Sequence, residues 1–349
     1  MPDLITVVGI IFIAGCNYVA TGWFIKYAQK HNITDVPTKR SSHSTPTPRG
    51  GGIGFVLTSI IAFVLYFAWQ GLLTSSAYLS LIATTIVISL LGWFDDRINL
   101  SQSIRLVTQV AAASLILFFV GTLDSFSLPY VSEFSLGIFS PFLGILWITG
   151  VTNIYNFMDG VDGIATAQAL TASGGWMIFA FFWGEPTLFT LNLIVFATVL
   201  VFLIYNWAPA KIFMGDVGSL FLGFFFAVMP FVAASVSKEI TIATSLWIGA
   251  LLLWPFLFDS SSTLVRRMIK GENIFKPHRS HLYQRLNIAG WPHSKISTLY
   301  LAFALICLMI SLLYYHENDA VQISLLLLLL LMSFLYLTGV HFVEKNKQQ

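Results

Sequence analysis

Five aspartates in this chain have neighbours that suit chemistry on a phosphate group. Asp95 and Asp96 are adjacent, Asp159 and Asp162 each precede a glycine, and Asp216 follows one. Two adjacent carboxylates repel each other unless a cation or an arginine lies between them. Carboxylate oxygens suit Mg²⁺, which keeps water or substrate phosphate as further ligands. These residues predict a site where a hard cation and a phosphate meet, although a solvated helix end beside Arg97 would also explain the first pair.

Four polar residues follow one another at intervals of three. They are Asn153, Asn156, Asp159 and Asp162. On a helix such a series lies roughly on one face. Because an aspartate at mid-membrane costs about 2.5–3.5 kcal/mol, the stripe indicates a water-filled cavity, a cation or a polar ligand. A helix cap made by Asp159 and its glycine explains that residue but not the series.

The segment from Asn206 to Ser219 joins two apolar stretches and places Gly215 and Gly218 around Asp216. Backbone N–H groups at the start of a helix favour phosphate. Asp216 itself could hold a hard cation, or it could cap the first turn of the following helix. The sequence leaves these alternatives open.

Two basic segments complete the candidate chemistry. One contains His278, Arg279 and His281, and it predicts an anion site because arginine binds phosphate in fork geometry. A basic segment against anionic headgroups is the alternative, whereas a zinc site would need more ligands. The other runs from Arg40 to Gly52, where three consecutive glycines allow the backbone to approach a ligand closely.

The elements that must position these residues are apolar. Of the 349 residues, 56% are hydrophobic and only 10% are charged, with a mean hydropathy of +0.80. A soluble domain carries about 25% charged residues, and a spanning helix needs about 20 mostly apolar residues. Eleven such stretches are predicted, or ten if a terminal one does not span: 4–25, 51–69, 77–93, 105–121, 136–152, 164–183, 187–205, 218–236, 240–258, 296–314 and 320–342.

We therefore expect an all-α polytopic integral membrane protein that forms one transmembrane catalytic domain over residues 1–349. The long polar loops are predicted at 26–50 and 259–295. Within the second loop, Leu264 to Ile269 is expected to form a short amphipathic helix at the membrane interface.

The basic residues sort to one side of this arrangement. With eleven spans, seventeen of the eighteen Lys and Arg residues share a side and only Lys238 lies on the other. Because Lys and Arg are retained in the cytoplasm, the N-terminus is expected outside and the C-terminus inside. All the candidate residues then lie on the cytoplasmic side, which favours a membrane enzyme over a pore or a scaffold.

The motifs, taken in order, resemble those of polyprenyl-phosphate N-acetylhexosamine-1-phosphate transferases. The resemblance extends from Pro37 to Leu286, and the stretch from Arg40 to Gly52 is most similar to the O-antigen-initiating branch. It implies transfer of a sugar 1-phosphate from a UDP-sugar to undecaprenyl phosphate, with release of UMP. The matching motifs are Pro46 to Gly52, Asp95-Asp96, Asn153 to Gly163, Phe213 to Ser219, and His281.

The resemblance also implies roles for single residues. Asp216 would bind Mg²⁺, or Mn²⁺ in its place, with Asn156 nearby. Asp95 or Asp96 would handle the lipid phosphate, and His281 would contact the diphosphate. The other implied site residues are Asp159 as a catalytic group, Asp162, Asn206 and Phe213 at the uridine, and Arg49, Asn153, His278 and Arg279 as further substrate contacts.

One departure from the family pattern concerns histidine. Many members carry His-x-His-His, where this chain reads His281-Leu282-Tyr283-Gln284. This weighs against a multi-histidine role and again indicates the O-antigen branch. The expected partners are undecaprenyl phosphate, a UDP-N-acetyl sugar, membrane lipid and a second copy of the chain in a homodimer, without nucleic acid, in a bacterial inner membrane.

Two other functions compete with this expectation. A lipid or sugar transporter would explain the spans, but transporter sites lie near mid-membrane and often between internal repeats, and no repeat is visible. An aspartate-rich membrane prenyltransferase would need two motifs with three residues between their polar ends. Asn156 and Asp159 are separated by only two, and no second copy occurs.

Overall fold

The computed structural model describes residues 2–31, 33–35, 46–237, 240–274, 276 and 278–348. The predictions for Arg40 to His43 and for Lys238 lie outside the described residues. Within them the chain is almost entirely helical, which confirms the predicted fold class. The helices are α1 (Leu4–Lys30), α2 (Gly52–Trp69), α3 (Ser76–Ile98), α4 (Gln102–Val120), α5 (Ser140–Phe157), α6 (Ile164–Phe182), α7 (Pro186–Asn206), α8 (Asp216–Val236), α9 (Ile242–Leu252), α10 (Trp254–Ile269), α11 (Leu282–Ile288), α12 (His293–His316) and α13 (Asp319–Gln348).

Ten of these helices, α1 to α8, α12 and α13, are long and apolar enough to cross a membrane. Each overlaps a predicted span, and the ends differ by a few residues. The count becomes eleven if α9 and α10 together make one crossing.

The segment predicted as a span over 240–258 is not one straight helix. The chain bends by 80° between α9 and α10. The eleven residues of α9 reach about 16 Å, against a hydrocarbon thickness of about 30 Å. Pro255 lies in the first turn of α10, where its missing N–H costs no helical hydrogen bond. The carbonyl of Leu252 at the break accepts a 2.8 Å hydrogen bond from the side chain of Gln168.

The predicted interfacial helix over 264–269 is also corrected. Those residues form the last turns of the longer α10, which begins at Trp254. Leu264, Val265, Met268 and Ile269 are exposed apolar residues. Arg266 and Arg267 are in the last turn of the same helix.

Helix α8 forms the centre of the bundle. It is buried along nearly its whole length and packs against α2, α3, α5 and α9. Phe221, Phe224, Phe225 and Phe226 fill the space around it. Helix α3 packs very closely against the first turn of α8. A Cβ on Gly92 of α3 would lie 2.4 Å from the carbonyl oxygen of Asp216.

Two short antiparallel hairpins are the exception to the all-helical expectation. Strands β1 (Thr34–Asp35) and β2 (Thr47–Pro48) pair before α2. Strands β3 (Ser125–Leu128) and β4 (Val131–Ser135) pair between α4 and α5. Because successive spans reverse direction, this second hairpin lies at the opposite end of the bundle from the candidate aspartates.

Candidate active site

Asp96 caps the central helix. Its Oδ1 accepts a 2.9 Å hydrogen bond from the backbone N–H of Asp216, and its Oδ2 accepts one of 3.1 Å from Val217. A carboxylate here satisfies unpaired N–H groups and complements the positive end of the helix dipole. Gly215 before the helix has φ 75°, and a Cβ there would meet Asp96 Oδ2 at 2.7 Å. The cap is therefore supplied by α3, and the Asp216 carboxylate is not needed for it.

Arg49 lies between two carboxylates of this site. Its guanidinium is 2.8 Å from Asp96 and 3.6 Å from Asp216. The adjacent backbone is held in place because Pro48 and Gly51 exchange hydrogen bonds of 2.8 and 2.9 Å with Phe213. The two loops predicted from separate motifs thus join at the start of α8.

The close contact continues into α2. The N–H of Gly52 donates to the carbonyl oxygen of Met214 at 2.9 Å. A Cβ on Gly52 would lie 2.7 Å from the Cα of Gly218. Glycine is therefore required here by backbone packing between α2 and α8.

Asn156 in the last turn of α5 contacts the same carboxylate. Its Nδ2 donates to Asp216 Oδ1 at 3.0 Å and to Ser219 Oγ at 2.8 Å. Asn153, one turn earlier, instead pairs with Gln109, and its Nδ2 lies 2.6 Å from Gln109 Oε1. The predicted neighbourhood of Asn156 and Asp216 is present in the structure, whereas Asn153 faces α4.

The predicted helical stripe of four residues is wrong in its second half. Helix α5 ends at Phe157, so Asp159 and Asp162 lie in the turn that follows. Gly160 and Gly163 break the helix there, and Gly163 has φ 78°. Asp159 reaches the site from a loop rather than from a helix face.

The site carries more negative than positive charge. Burial, with the negative charges of Asp216 and Asp96, raises the pKa of the Asp159 carboxyl to about 7, and Arg49 opposes this shift. A divalent cation would relieve the repulsion among these three carboxylates. Among the described residues no three Asp, Glu, His or Cys side chains enclose a metal by themselves. The arrangement fits Mg²⁺, which completes its coordination with water and phosphate oxygens.

Asp95 faces away from this group. Its Oδ1 accepts a 2.8 Å hydrogen bond from the N–H of Leu100, and its Oδ2 pairs with Arg105 at 2.9 Å. Its side chain is buried and holds the turn between α3 and α4. The expected role of Asp95 at the lipid phosphate stays a prediction.

Asp162 ties the α5–α6 turn to two neighbouring elements. Its Oδ2 accepts a 3.0 Å hydrogen bond from the N–H of Ala210, and its Oδ1 lies 3.1 Å from His293 Nδ1 at the start of α12. His293 was not predicted as part of the site, and no local pattern around it would have indicated this partner.

Asn206 is buried and uses both ends of its amide inside the protein. Its Nδ2 donates to the carbonyl oxygen of Ile212 at 3.0 Å, and its Oδ1 accepts from Thr166 at 2.6 Å. These contacts shape the loop before α8, which contains the half-buried Phe213. The expected uridine contacts of Asp162, Asn206 and Phe213 stay predictions.

His281 stands directly before α11 and is almost completely buried. Its Nδ1 lies 3.2 Å from Oδ1 of Asp259 on α10. His278 is adjacent, with its ring centroid 4.9 Å from that of His281 and its Nδ1 2.9 Å from Ser280 Oγ. Arg279 follows in the same loop.

The sequence analysis did not predict Asp259 as part of the site. The pattern that could have indicated it is a lone carboxylate directly after the apolar run from Trp254 to Phe258.

Tyr283 and Gln284 stand where many family members have further histidines, and both make hydrogen bonds within the protein. Tyr283 donates from its hydroxyl to the carbonyl oxygen of Phe157 at 3.0 Å and packs so closely on Gly160 that a Cβ there would clash. Gln284 accepts the N–H of His281 at 3.2 Å. The histidine loop is thereby joined to the turn that carries Asp159.

Known proteins are similar to this chain in sequence. Residues 78–234 match the model of the family described as Glycosyl transferase family 4. The chain is 33% identical over 269 residues to a probable undecaprenyl-phosphate N-acetylglucosaminyl 1-phosphate transferase of Bacillus subtilis. The aligned residues make up 77% of this chain and 73% of that protein.

Two further relatives extend this comparison. A phospho-N-acetylmuramoyl-pentapeptide-transferase of Staphylococcus saprophyticus is 29% identical over 75% of this chain and 83% of its own length. A decaprenyl-phosphate N-acetylglucosaminephosphotransferase of Mycobacterium leprae is 28% identical over 80% of this chain and 76% of its own. The chain therefore belongs to glycosyl transferase family 4, among the polyprenyl-phosphate sugar-phosphate transferases.

Proposed function

We propose that this protein transfers an N-acetylhexosamine 1-phosphate, or a 6-deoxy relative, from a UDP-sugar to undecaprenyl phosphate. The products are the undecaprenyl-diphosphate sugar and UMP, and the reaction initiates O-antigen or a related surface polysaccharide. The observation that carries the proposal is the cap on α8. Because Asp96 occupies the helix N-terminus, the carboxylate of Asp216 faces Arg49, Asn156 and Asp159.

The names of the relatives support the lipid acceptor and an N-acetylhexosamine donor. The Bacillus protein is named for N-acetylglucosaminyl 1-phosphate transfer, and its identity to this chain is higher than that of the Staphylococcus saprophyticus muramoyl-pentapeptide enzyme. The assignment to the O-antigen-initiating branch rests on the motif from Arg40 to Gly52. The structure describes this motif only from Pro46 onward.

The reaction exchanges one phosphoanhydride bond for another. An oxygen of the lipid phosphate forms a bond to the phosphorus that carries the sugar, and the bond from that phosphorus to the oxygen of UMP breaks. The second pKa of a phosphate monoester is about 6, so the acceptor is already nucleophilic near pH 7. The protein need not remove a proton from the lipid, but it must bring two anions together.

The side chains of the site divide this task. Asp216 and the amide of Asn156, with Asp159 beside them, would hold Mg²⁺ or Mn²⁺. When bound, that ion would polarise the phosphoryl oxygens and neutralise the charge on the leaving UMP. Arg49, which lies between Asp96 and Asp216, would attract a phosphate. Catalysis of phosphoryl transfer consists mostly of positioning the reacting groups and neutralising their charge.

We further infer that this end of the bundle faces the cytoplasm, with the N-terminus outside and the C-terminus inside. The sorting of seventeen of the eighteen basic residues supports this orientation. The predicted homodimer stays a prediction.

The test uses purified protein in detergent with undecaprenyl phosphate, Mg²⁺ and a panel of UDP-N-acetyl sugars labelled in the sugar. We expect UMP in the aqueous phase, label in the lipid phase, and loss of both after chelation. Release of UDP instead would contradict phosphosugar transfer, and no product with any donor would favour a transporter. Heat-treated protein and reactions without lipid are the controls.

A further inference from the structure

One buried carboxylate outside the aspartate group has an unusual number of donors. Asp259 on α10 is fully buried. Its Oδ1 accepts from Leu282 N–H at 2.8 Å, and its Oδ2 accepts from Tyr283 N–H at 3.1 Å and from the Tyr300 hydroxyl. Thr263 donates to Oδ1 at 3.3 Å, and His281 Nδ1 lies 3.2 Å from the same oxygen. A buried carboxylate is tolerated only when its oxygens are satisfied in this way.

The contact with His281 fixes which ring nitrogen carries a proton. An ionised carboxylate accepts hydrogen bonds and cannot donate one. With Asp259 ionised, Nδ1 of His281 is the donor in this contact, and Nε2 is the nitrogen that remains for another partner. In His⁺ both nitrogens donate.

The same carboxylate also fixes the position of the ring. Leu282 and Tyr283, whose N–H groups bind Asp259, are the first two residues of α11, and His281 is the residue before them. The ring stacks on Tyr283 at 5.9 Å between centroids, and the Tyr283 hydroxyl donates a hydrogen bond to Phe157, the last residue of α5. Asp259 thus holds both the ring of His281 and the start of α11.

We propose that Asp259 is a positioning residue for the phosphosugar transfer. It holds His281 as an Nδ1-protonated ring whose Nε2–H donates to the diphosphate of the UDP-sugar. The ring then lies between two anionic acceptors, Asp259 and the diphosphate, and hydrogen bonds to anions are the stronger ones. This inference rests on the proposed function, because the diphosphate is the substrate group that Nε2 would meet.

The decisive experiment is a double-mutant cycle with Asp259→Asn and His281→Ala, assayed by UMP release. We expect Asp259→Asn to lower kcat about 10- to 100-fold, the range for groups that orient a functional histidine. His281→Ala should lower kcat at least as much. The double variant should be no slower than His281→Ala, since Asp259 acts through the ring. Losses that multiply in the double variant would overturn the proposal.

A control variant removes a different contact of Asp259 and leaves His281 unchanged. Thr263→Val removes a donor to Asp259 Oδ1 but leaves His281 in place. It should keep kcat within about twofold of wild type, as expected for a group that does not act in the transition state. If Thr263→Val lowered kcat as much as Asp259→Asn, any disturbance of this carboxylate would lower kcat. The loss in Asp259→Asn would then reflect the fold and not the contact with His281, and the proposal would fail.

A second variant decides the matter should Asp259→Asn not fold. In His281→Asn, the side-chain Nδ2 can take the place of Nδ1 beside Asp259, but nothing replaces Nε2. It should show the wild-type unfolding temperature and a kcat as low as that of His281→Ala. Wild-type kcat in His281→Asn would exclude Nε2 as the working atom. A wild-type protein that releases no UMP would instead refute the proposed function itself.

Discussion

The carboxylates of Asp96 and Asp216 have different contacts, although both lie at the start of α8. Asp96 binds two backbone N–H groups and the guanidinium of Arg49. Asp216 binds the amide of Asn156 and lies farther from Arg49. The first carboxylate therefore stabilises the fold and orients the arginine, whereas the second is the one that we propose as a ligand of the cation.

This difference predicts different outcomes for the same conservative change. Asp216→Asn should leave the unfolding temperature in detergent unchanged and lower kcat by at least about 100-fold, because it removes charge where the phosphoryl group reacts. Asp96→Asn should also destabilise the protein by about 1 kcal/mol, the usual value of a helix cap. Thermal unfolding and UMP release measured on both variants would check this. Equal unfolding temperatures for the two variants would contradict the assignment of the cap.

The raised pKa of Asp159 predicts that cation binding depends on pH. Below its pKa of about 7 this carboxyl is protonated in the metal-free protein. A cation that binds beside it must then displace a proton, so its affinity falls as pH decreases. We expect the apparent Kd for Mg²⁺ to rise up to tenfold per pH unit below 7 and to level off above 8. Titration of Asp159→Asn, which should bind Mg²⁺ more weakly and change little between pH 7 and 8, is the matched control.

The helices of this chain were largely predictable, because their length and apolar content follow from the thickness of the membrane. The break at Leu253 was not, since residues 240–258 form one apolar run whose composition gives no sign of an 80° bend. The site was predictable as a set of residues but not as contacts. Neither the cap from Asp96 nor the pairing of Asp259 with His281 can be read from spacing, because each partner lies on a distant element.

The packing of α3 on α8 makes a prediction at the level of elements. A methyl group on Gly92 would lie 2.4 Å from the backbone of Asp216, and that backbone cannot move without disturbing the cap. Gly92→Ala should therefore cost about 1–3 kcal/mol, the usual range for overpacking, and should lower activity as well. Gly150→Ala on α5, where no atom lies within 4 Å of the new Cβ, is the control and should not destabilise. Thermal unfolding and UMP release of both variants decide the point.

At the scale of the whole molecule, the site and the β3–β4 hairpin lie at opposite ends of one bundle, so their sides of the membrane must differ. If the basic side is cytoplasmic, Tyr130 in the hairpin turn faces outside and Lys270 after α10 faces inside; both are exposed. In a background without Cys16 and Cys307, Tyr130→Cys should react with an impermeant maleimide in intact cells. Lys270→Cys should react only after the membrane is permeabilised. Labelling of Lys270→Cys in intact cells would invert the orientation and place the aspartate group away from cytoplasmic UDP-sugars, which the proposed reaction could not accommodate.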